Sequence, residues 1–188
     1  MSQTPYGFGP ARFRAARNAV GATVPHIART AQVSERAVSL YLAGARIPRP
    51  GVLVLLAQAV GVNPADLCTV ERETLRHLQI FTGRSRAQMG RQLGMSEATY
   101  RELENTGALG RLAGSWYSPR EGRWLAWEEW AAAKFATTPD RLAADEDNTR
   151  AGYQAERERR WQQLSEDDPA FEARVEGLVR LGRALRDR

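Results

Sequence analysis

The stretch TVPHIARTAQVSERAVSLYLAG, Thr23 to Gly44, decides the fold. Thr23 and Ser34 each precede a short run of helix formers, and a hydroxyl placed there accepts from amides that the first helical turn leaves free. Pro25 lies inside that first turn, where a missing N–H costs no helical hydrogen bond. The spacing predicts a short helix through Thr30, a tight turn at Gln32-Val33-Ser34, and a helix from Glu35 to Ala43 closed by Gly44. Ile27 and Ala28 supply an apolar and a small position where two helices nearly touch, and Val33 fills the turn. Val38 and Tyr41 face inward, so Glu35, Arg36, Ser39 and Leu40 project to the outer face.

Outward from this pair, Ala11 to Val20 reads as a helix with Phe13, Ala16 and Val20 on one face, ended by Gly21. Ile47-Pro48-Arg49-Pro50 is a stiff connector into an apolar helix, Pro50 to Val60, which Gly61 closes. Asn63-Pro64 starts a short fifth helix. Met1 to Pro10 is polar and punctuated by Gly and Pro, without the apolar core of a secretory signal. No apolar run approaches the ~18 residues of a membrane span, so a cytoplasmic chain without membrane contact is expected.

Arg14-Ala15-Ala16-Arg17, Gly21, Ile27-Ala28, Val33 to Ser39, Leu42-Ala43-Gly44, Pro48-Arg49-Pro50, Leu56-Ala57 and Leu67 carry a resemblance. Residues 11–67 resemble the Cro/repressor-type (XRE) helix-turn-helix family of phage and bacterial regulators. The resemblance implies a five-helix, lambda-repressor-like fold whose third helix enters the major groove of duplex DNA. On it, Glu35, Arg36, Ser39 and Leu40 contact bases: Arg36 suits guanine, Glu35 accepts from cytosine or orients Arg36, and Leu40 touches a thymine methyl. Thr23, Ser34, Arg46 and Arg49 contact phosphates. Gln32 departs from the family pattern, which places glycine in the turn, and must hold that conformation at some cost.

Much of this pattern returns. Gly83 to Glu97 parallels Gly21 to Glu35 at an offset of 62 residues, with Ser85 and Gln88 forming a capping box. A helix from Glu97 to Asn105 follows, closed by Gly107; a helix from Trp124 to Phe135 and the Thr138-to-Leu142 stretch then match at an offset of 75. The difference is an insertion near 110–123, read as a loop or hairpin tip. Its Trp116 and Tyr117, beside Arg120 and Arg123, either touch DNA as a wing does or pack back onto Trp124 and Trp127; packing is the favoured reading. Trp124, Trp127 and Trp130 together are read as core. The second unit is expected to place Glu97, Ala98 and Arg101 against bases and Arg84, Ser85, Arg86 and Ser96 against phosphates. Glu97 and Glu102 oppose this unless they are paired or read cytosine. The alternative is a degenerate copy that only packs.

The expected fold class is therefore all-α: tandem five-helix helix-turn-helix units at 1–70 and 71–144, then a C-terminal segment at 145–188. In that segment Asp145 to Thr149 reads as an acidic linker and Tyr153 to Leu164 as a charged helix. A last helix after Asp168-Pro169 has a Phe171, Val175, Leu178, Gly182, Leu185 stripe suited to assembly as a homodimer.

Charge follows the same division. Residues 1–70 carry seven Arg against two acids, 71–144 eleven bases against nine acids, and 145–188 nine Arg against eleven acids, so the formal +5 divides as +5, +2 and −2. The first third is the surface suited to phosphate. Cys68 is the only cysteine, and His26 and His77 are the only histidines; neither a metal site nor a cofactor is expected. No P-loop, dinucleotide fingerprint or nucleophile elbow is present, so the chain is not read as an enzyme. The leading expectation is a sequence-specific transcriptional repressor. A DNA-architectural, replication or partition protein on tandem sites is second, and a protein-interaction adapter built on a degenerate repeat is third. No small-molecule effector is legible.

Overall fold

The computed structural model describes residues 6–108, 115–168, 170 and 174–180. Among these residues the fold is all-α apart from one small hairpin. Helices α1 (Pro10–Ala19), α2 (Val24–Ala31), α3 (Glu35–Ala43) and α4 (Pro50–Ala59), with a 3-10 turn at Pro64–Leu67, surround a first core. Phe13, Ile27, Val38, Tyr41, Leu53, Leu56 and Leu67 are buried there. Thr23 and Ser34 cap α2 and α3 as their hydroxyls predict, accepting from His26 N at 3.3 Å and Ala37 N at 3.2 Å.

The amino-terminal segment is more than polar punctuation. Tyr6 and Phe8 are buried in the first core. Phe8 bridges to Cys68, and Gly9 N donates to Leu67 O at 2.8 Å. Gly7 has φ +73°, and a Cβ there would meet Thr69 O at 2.4 Å, so only glycine lets the segment lie this close. The Tyr6 hydroxyl donates to Pro48 O, which fastens the connector between α3 and α4.

A second core is built by α5 (Leu75–Phe81), α6 (Arg86–Gln92), α7 (Glu97–Thr106), α8 (Trp127–Phe135) and the start of α9 (Pro139–Asp167). Leu75, Leu78, Met89, Tyr100, Leu103, Trp127 and Leu142 fill it. Ser85 and Ser96 cap α6 and α7, accepting from Gln88 N at 3.2 Å and Thr99 N at 3.1 Å. A Cβ on Gly90 would stand 3.0 Å from Met95 O, so α6 and the following turn approach closely where the first unit carries Ala28.

Two expectations are corrected. Trp124 does not open a helix: Ser115–Ser118 (β1) and Arg123–Ala126 (β2) pair antiparallel with Tyr117 opposite Trp124. The alternation of a strand turns Leu125 inward and Trp124 outward, leaving Trp124 66% exposed and edge-on to Tyr117 at 5.7 Å between centroids. Trp116 thus packs on Trp127, with ring centroids 5.1 Å apart, and Tyr117 on Trp124, but Tyr117 and Trp124 stay exposed and outside the core. Residues 109–114 of the insertion lie outside the described residues.

Asp145 to Thr149 is no linker either; α9 runs through it with Asp145, Glu146 and Thr149 buried. Two of these side chains have partners that the sequence does not reveal. Trp127 Nε1 donates to Glu146 Oε1 at 2.6 Å, and Leu75 N to Thr149 Oγ1 at 3.0 Å. Asp145 shares its surroundings with Glu73 and Arg141, which are paired at 2.5 Å. The last element of this half is accordingly the first turns of a long helix and not a short fifth helix.

The chain divides into compact units at Met1–Arg150 and Ala151–Arg188. In the second, the α9 residues up to Leu164 are exposed, and residues 174–180 are helical. Leu178 is 69% exposed. Phe171, Gly182 and Leu185 of the expected stripe lie outside the described residues. Among the described residues no helix is long and apolar enough to cross a membrane.

Candidate nucleic-acid interface

The amino-terminal helix pair is held by backbone bonds as well as by caps. Gln32 ends α2 in the left-handed conformation, with φ 54°, and Val33 N donates to Ala28 O at 3.0 Å across the turn. Ile27, Ala28 and Ala31 of α2 and Ala37, Val38, Tyr41 and Leu42 of α3 are buried. Burial of that face fixes the rotation of α3. Glu35, Arg36 and Ser39 are exposed and Leu40 is half-buried. Ser39 Oγ donates to Glu35 O at 3.0 Å, so its lone pairs remain available outward.

The cations sort into two groups. Arg14 donates to Leu42 O and Arg17 to Ala22 O, closing helix ends within the fold. Arg36, Arg46 and Arg49 are exposed and have no ion pair among the described residues. Arg46 and Arg49 stand on the connector that Tyr6 fastens. Between that connector and α3 lies a shallow groove of about 400 Å³, lined by Ser34, Ala37, Tyr41, Arg46, Arg49 and Val52. Its apolar floor, hydroxyl and guanidinium rim match a sugar-phosphate edge. The groove and Tyr6 are the parts that sequence reasoning missed. An aromatic residue six places from the start carries no periodic signal.

The second pair, α6 and α7, is capped in the same way but differs in its charges. Ser85, Ser96, Glu97, Ala98, Arg101 and Glu102 are exposed, as the parallel predicts. Arg84 and Arg86 are not presented to solvent in the same way. Arg84 Nη1 donates to Lys134 O at 2.7 Å, and Arg86 Nε to Glu104 Oε2 at 2.6 Å. Both arginines expected at phosphates are thus already engaged within the fold. The sequence signal was available, since Glu104 stands where the first unit has buried Leu42, at the same offset of 62.

Among the described residues no group of three His, Cys, Asp or Glu side chains could hold a metal ion. Residues 11–68 match the family model of a helix-turn-helix domain. No curated protein and no solved structure matches the chain. Over residues 11–68, which run from α1 through α4 to the 3-10 turn, the chain is similar to a helix-turn-helix domain.

Proposed function

We propose that the chain is a transcriptional regulator of the XRE kind that represses by occupying an operator, reading it through the major groove with α3. The observation that carries this is Arg36, exposed on the outer face of α3 and, like exposed Arg46 and Arg49, without an ion pair among the described residues. Arg36 donates both edges of its fork to guanine O6 and N7; Glu35 accepts from cytosine or steadies Arg36; Ser39 and Leu40 complete the base contacts. Thr23 and Ser34 hydroxyls, with Arg46 and Arg49, grip phosphates and set register. The pair α6–α7 is a diverged repeat, and its Glu97, Ala98 and Arg101 add weaker contacts at most. The chain works as a homodimer in the cytoplasm.

Selection of bound sequences from a random duplex pool tests this directly. A recurrent, palindromic motif is expected, and Arg36→Ala should relax it at one base pair, at a loss of roughly 1–3 kcal/mol of discrimination. An unchanged motif with Arg36→Ala would remove α3 from the groove. A second reading, an architectural or partition protein, draws on the repetition of the capped helix pair within one chain; tandem, non-palindromic sites in the same selection would favour it.

A further inference from the structure

The two helix pairs differ in how they use their charges. Among the described residues every ion pair lies at residue 73 or beyond, and none joins residues of the first unit. That unit has only Glu35 and Asp66 to offer. In the second unit Arg123 is paired with Glu121 and Glu129, Arg141 with Glu73, and Arg86 with Glu104.

The last pair is unlike the others. The Glu104 side chain is 1% exposed and that of Arg86 37%. At the offset of 62, Arg86, Tyr100 and Glu104 replace Val24, Val38 and Leu42 of the first unit, an apolar set exchanged for a polar one. Glu104 Oε1 and the Tyr100 hydroxyl have no hydrogen-bond partner among the described residues. Arg86 is therefore, among the described residues, the group that compensates this buried carboxylate. Drawing its guanidinium out to a phosphate would leave that carboxylate uncompensated, which is strongly unfavourable. Without Glu104, Arg86 would be free beside Ser85, the counterpart of Thr23.

We propose that the Arg86–Glu104 pair is an internal latch that withholds Arg86 from DNA, so that Glu104 keeps the second helix pair from adding a phosphate contact. The inference rests on the reading of the chain as a duplex-binding protein.

The test uses the full chain and a duplex recovered by selection, extended on both sides of the site, with affinity measured over a series of salt concentrations. Glu104→Leu installs the residue that α3 carries. It should steepen the salt dependence by about 0.9 in log–log slope, which at ~0.1 M salt is a gain of about eightfold in affinity. Arg86→Ala/Glu104→Leu should return both to parental values. If Glu104→Leu fails to fold by circular dichroism, Glu104→Gln, of the same size, should move affinity in the same direction. Unchanged affinity and slope overturn the latch. A loss of affinity overturns it too, since Glu104 would then be holding Arg86 onto DNA. A gain that persists in the double variant overturns it as well, because removal of a negative charge alone would account for it. If the parent binds no duplex, the DNA-binding reading itself falls and takes the latch with it.

Discussion

Four turns of the fold share one geometry, and two of them hold it without glycine. Gln32 and Ala136 have φ 54°, while Gly94 and Gly61, at the corresponding places, have φ +70°. The closing bonds also correspond: Val33 N to Ala28 O at 3.0 Å, Met95 N to Gly90 O at 2.9 Å, Val62 N to Ala57 O at 3.1 Å and Thr137 N to Ala132 O at 3.0 Å. A Cβ on Gly94 or Gly61 would have nothing within 4 Å, so a substitution there acts through backbone conformation and not through contacts. A side chain in this region costs roughly 1–2 kcal/mol. Glycine returns about 0.4–1 kcal/mol of that through the freedom of the unfolded chain. Gln32→Gly and Ala136→Gly should each stabilise by about 0.5–1 kcal/mol, and Gly94→Ala and Gly61→Ala should destabilise by as much. For a chain of this size that is about 1–4 °C in Tm. Thermal melts and urea titrations of the four variants decide it, and the DNA affinity of Gln32→Gly should stay parental because the turn bonds are kept. A lower Tm for Gln32→Gly beside an unchanged Gly94→Ala would refute the reasoning, since side-chain contacts would then outweigh backbone conformation.

Other outcomes can be checked with the same material. Arg36→Ala should cost more operator affinity than Arg101→Ala in side-by-side titrations at one salt concentration, because Glu97 and Glu102 flank Arg101 on its helix; the reverse order would make the second unit the principal reader. Burial, followed by Glu73, raises the Asp145 carboxyl from 3.8 to about 6, with Arg141 opposing. A raised carboxyl favours the fold when protonated, so its contribution is present below about pH 3.8 and is lost as pH rises through about 6, on the order of 2–3 kcal/mol. Asp145→Asn should reduce that fall in urea titrations between pH 4 and 7, leaving the part of the same sign from Glu146, whose carboxyl burial also raises against the Trp127 hydrogen bond. The opposite slope from His77, whose pKa burial lowers, should remain in the variant. Truncation after Arg150, where the first compact unit ends, should lower operator affinity through lost pairing of chains; an equal number of chains per particle in sedimentation of both proteins would exclude residues 151–188 as the dimer interface.

The first unit was legible because each of its elements announces itself twice, by a cap and by a periodic face. Thr23, Ser34, Gly44 and Pro50 mark ends that the backbone places within a residue or two. What failed to show has physical reasons. Trp124 to Phe135 is dense in apolar residues, so helix and strand periods overlap at its start, and the cross-strand partner Tyr117 decides the matter. Asp145, Glu146 and Thr149 read as a solvated linker because hydrophilicity reports a residue type and not its burial. Arg84 and Arg86 read as phosphate ligands because an arginine's role depends on what lies behind it. For Arg86 that is Glu104, whose inward position follows from the same face as Tyr100 and Leu103.

The latch and the proposed dimer constrain each other through the amount of discrimination one reading head can supply. A good base contact is worth about 1–3 kcal/mol. Specific complexes are typically about 4–10 kcal/mol tighter than non-specific ones. One fork from Arg36, with Ser39 and Leu40 as lesser contacts, reaches only the lower part of that range. A second head is needed, and the same chain contains a candidate in α6–α7. Its face carries Glu97 and Glu102 against Arg101, and its Arg86 is tied to Glu104. The other source is the first unit of a second copy, which brings its own Arg36 and makes the operator palindromic. A chain that kept both routes open would bind tandem and palindromic sites alike and discriminate poorly between them. On this reasoning Glu104→Leu, which frees one phosphate contact and leaves Glu97 and Glu102 in place, should raise affinity without changing the selected motif or the need for a second copy.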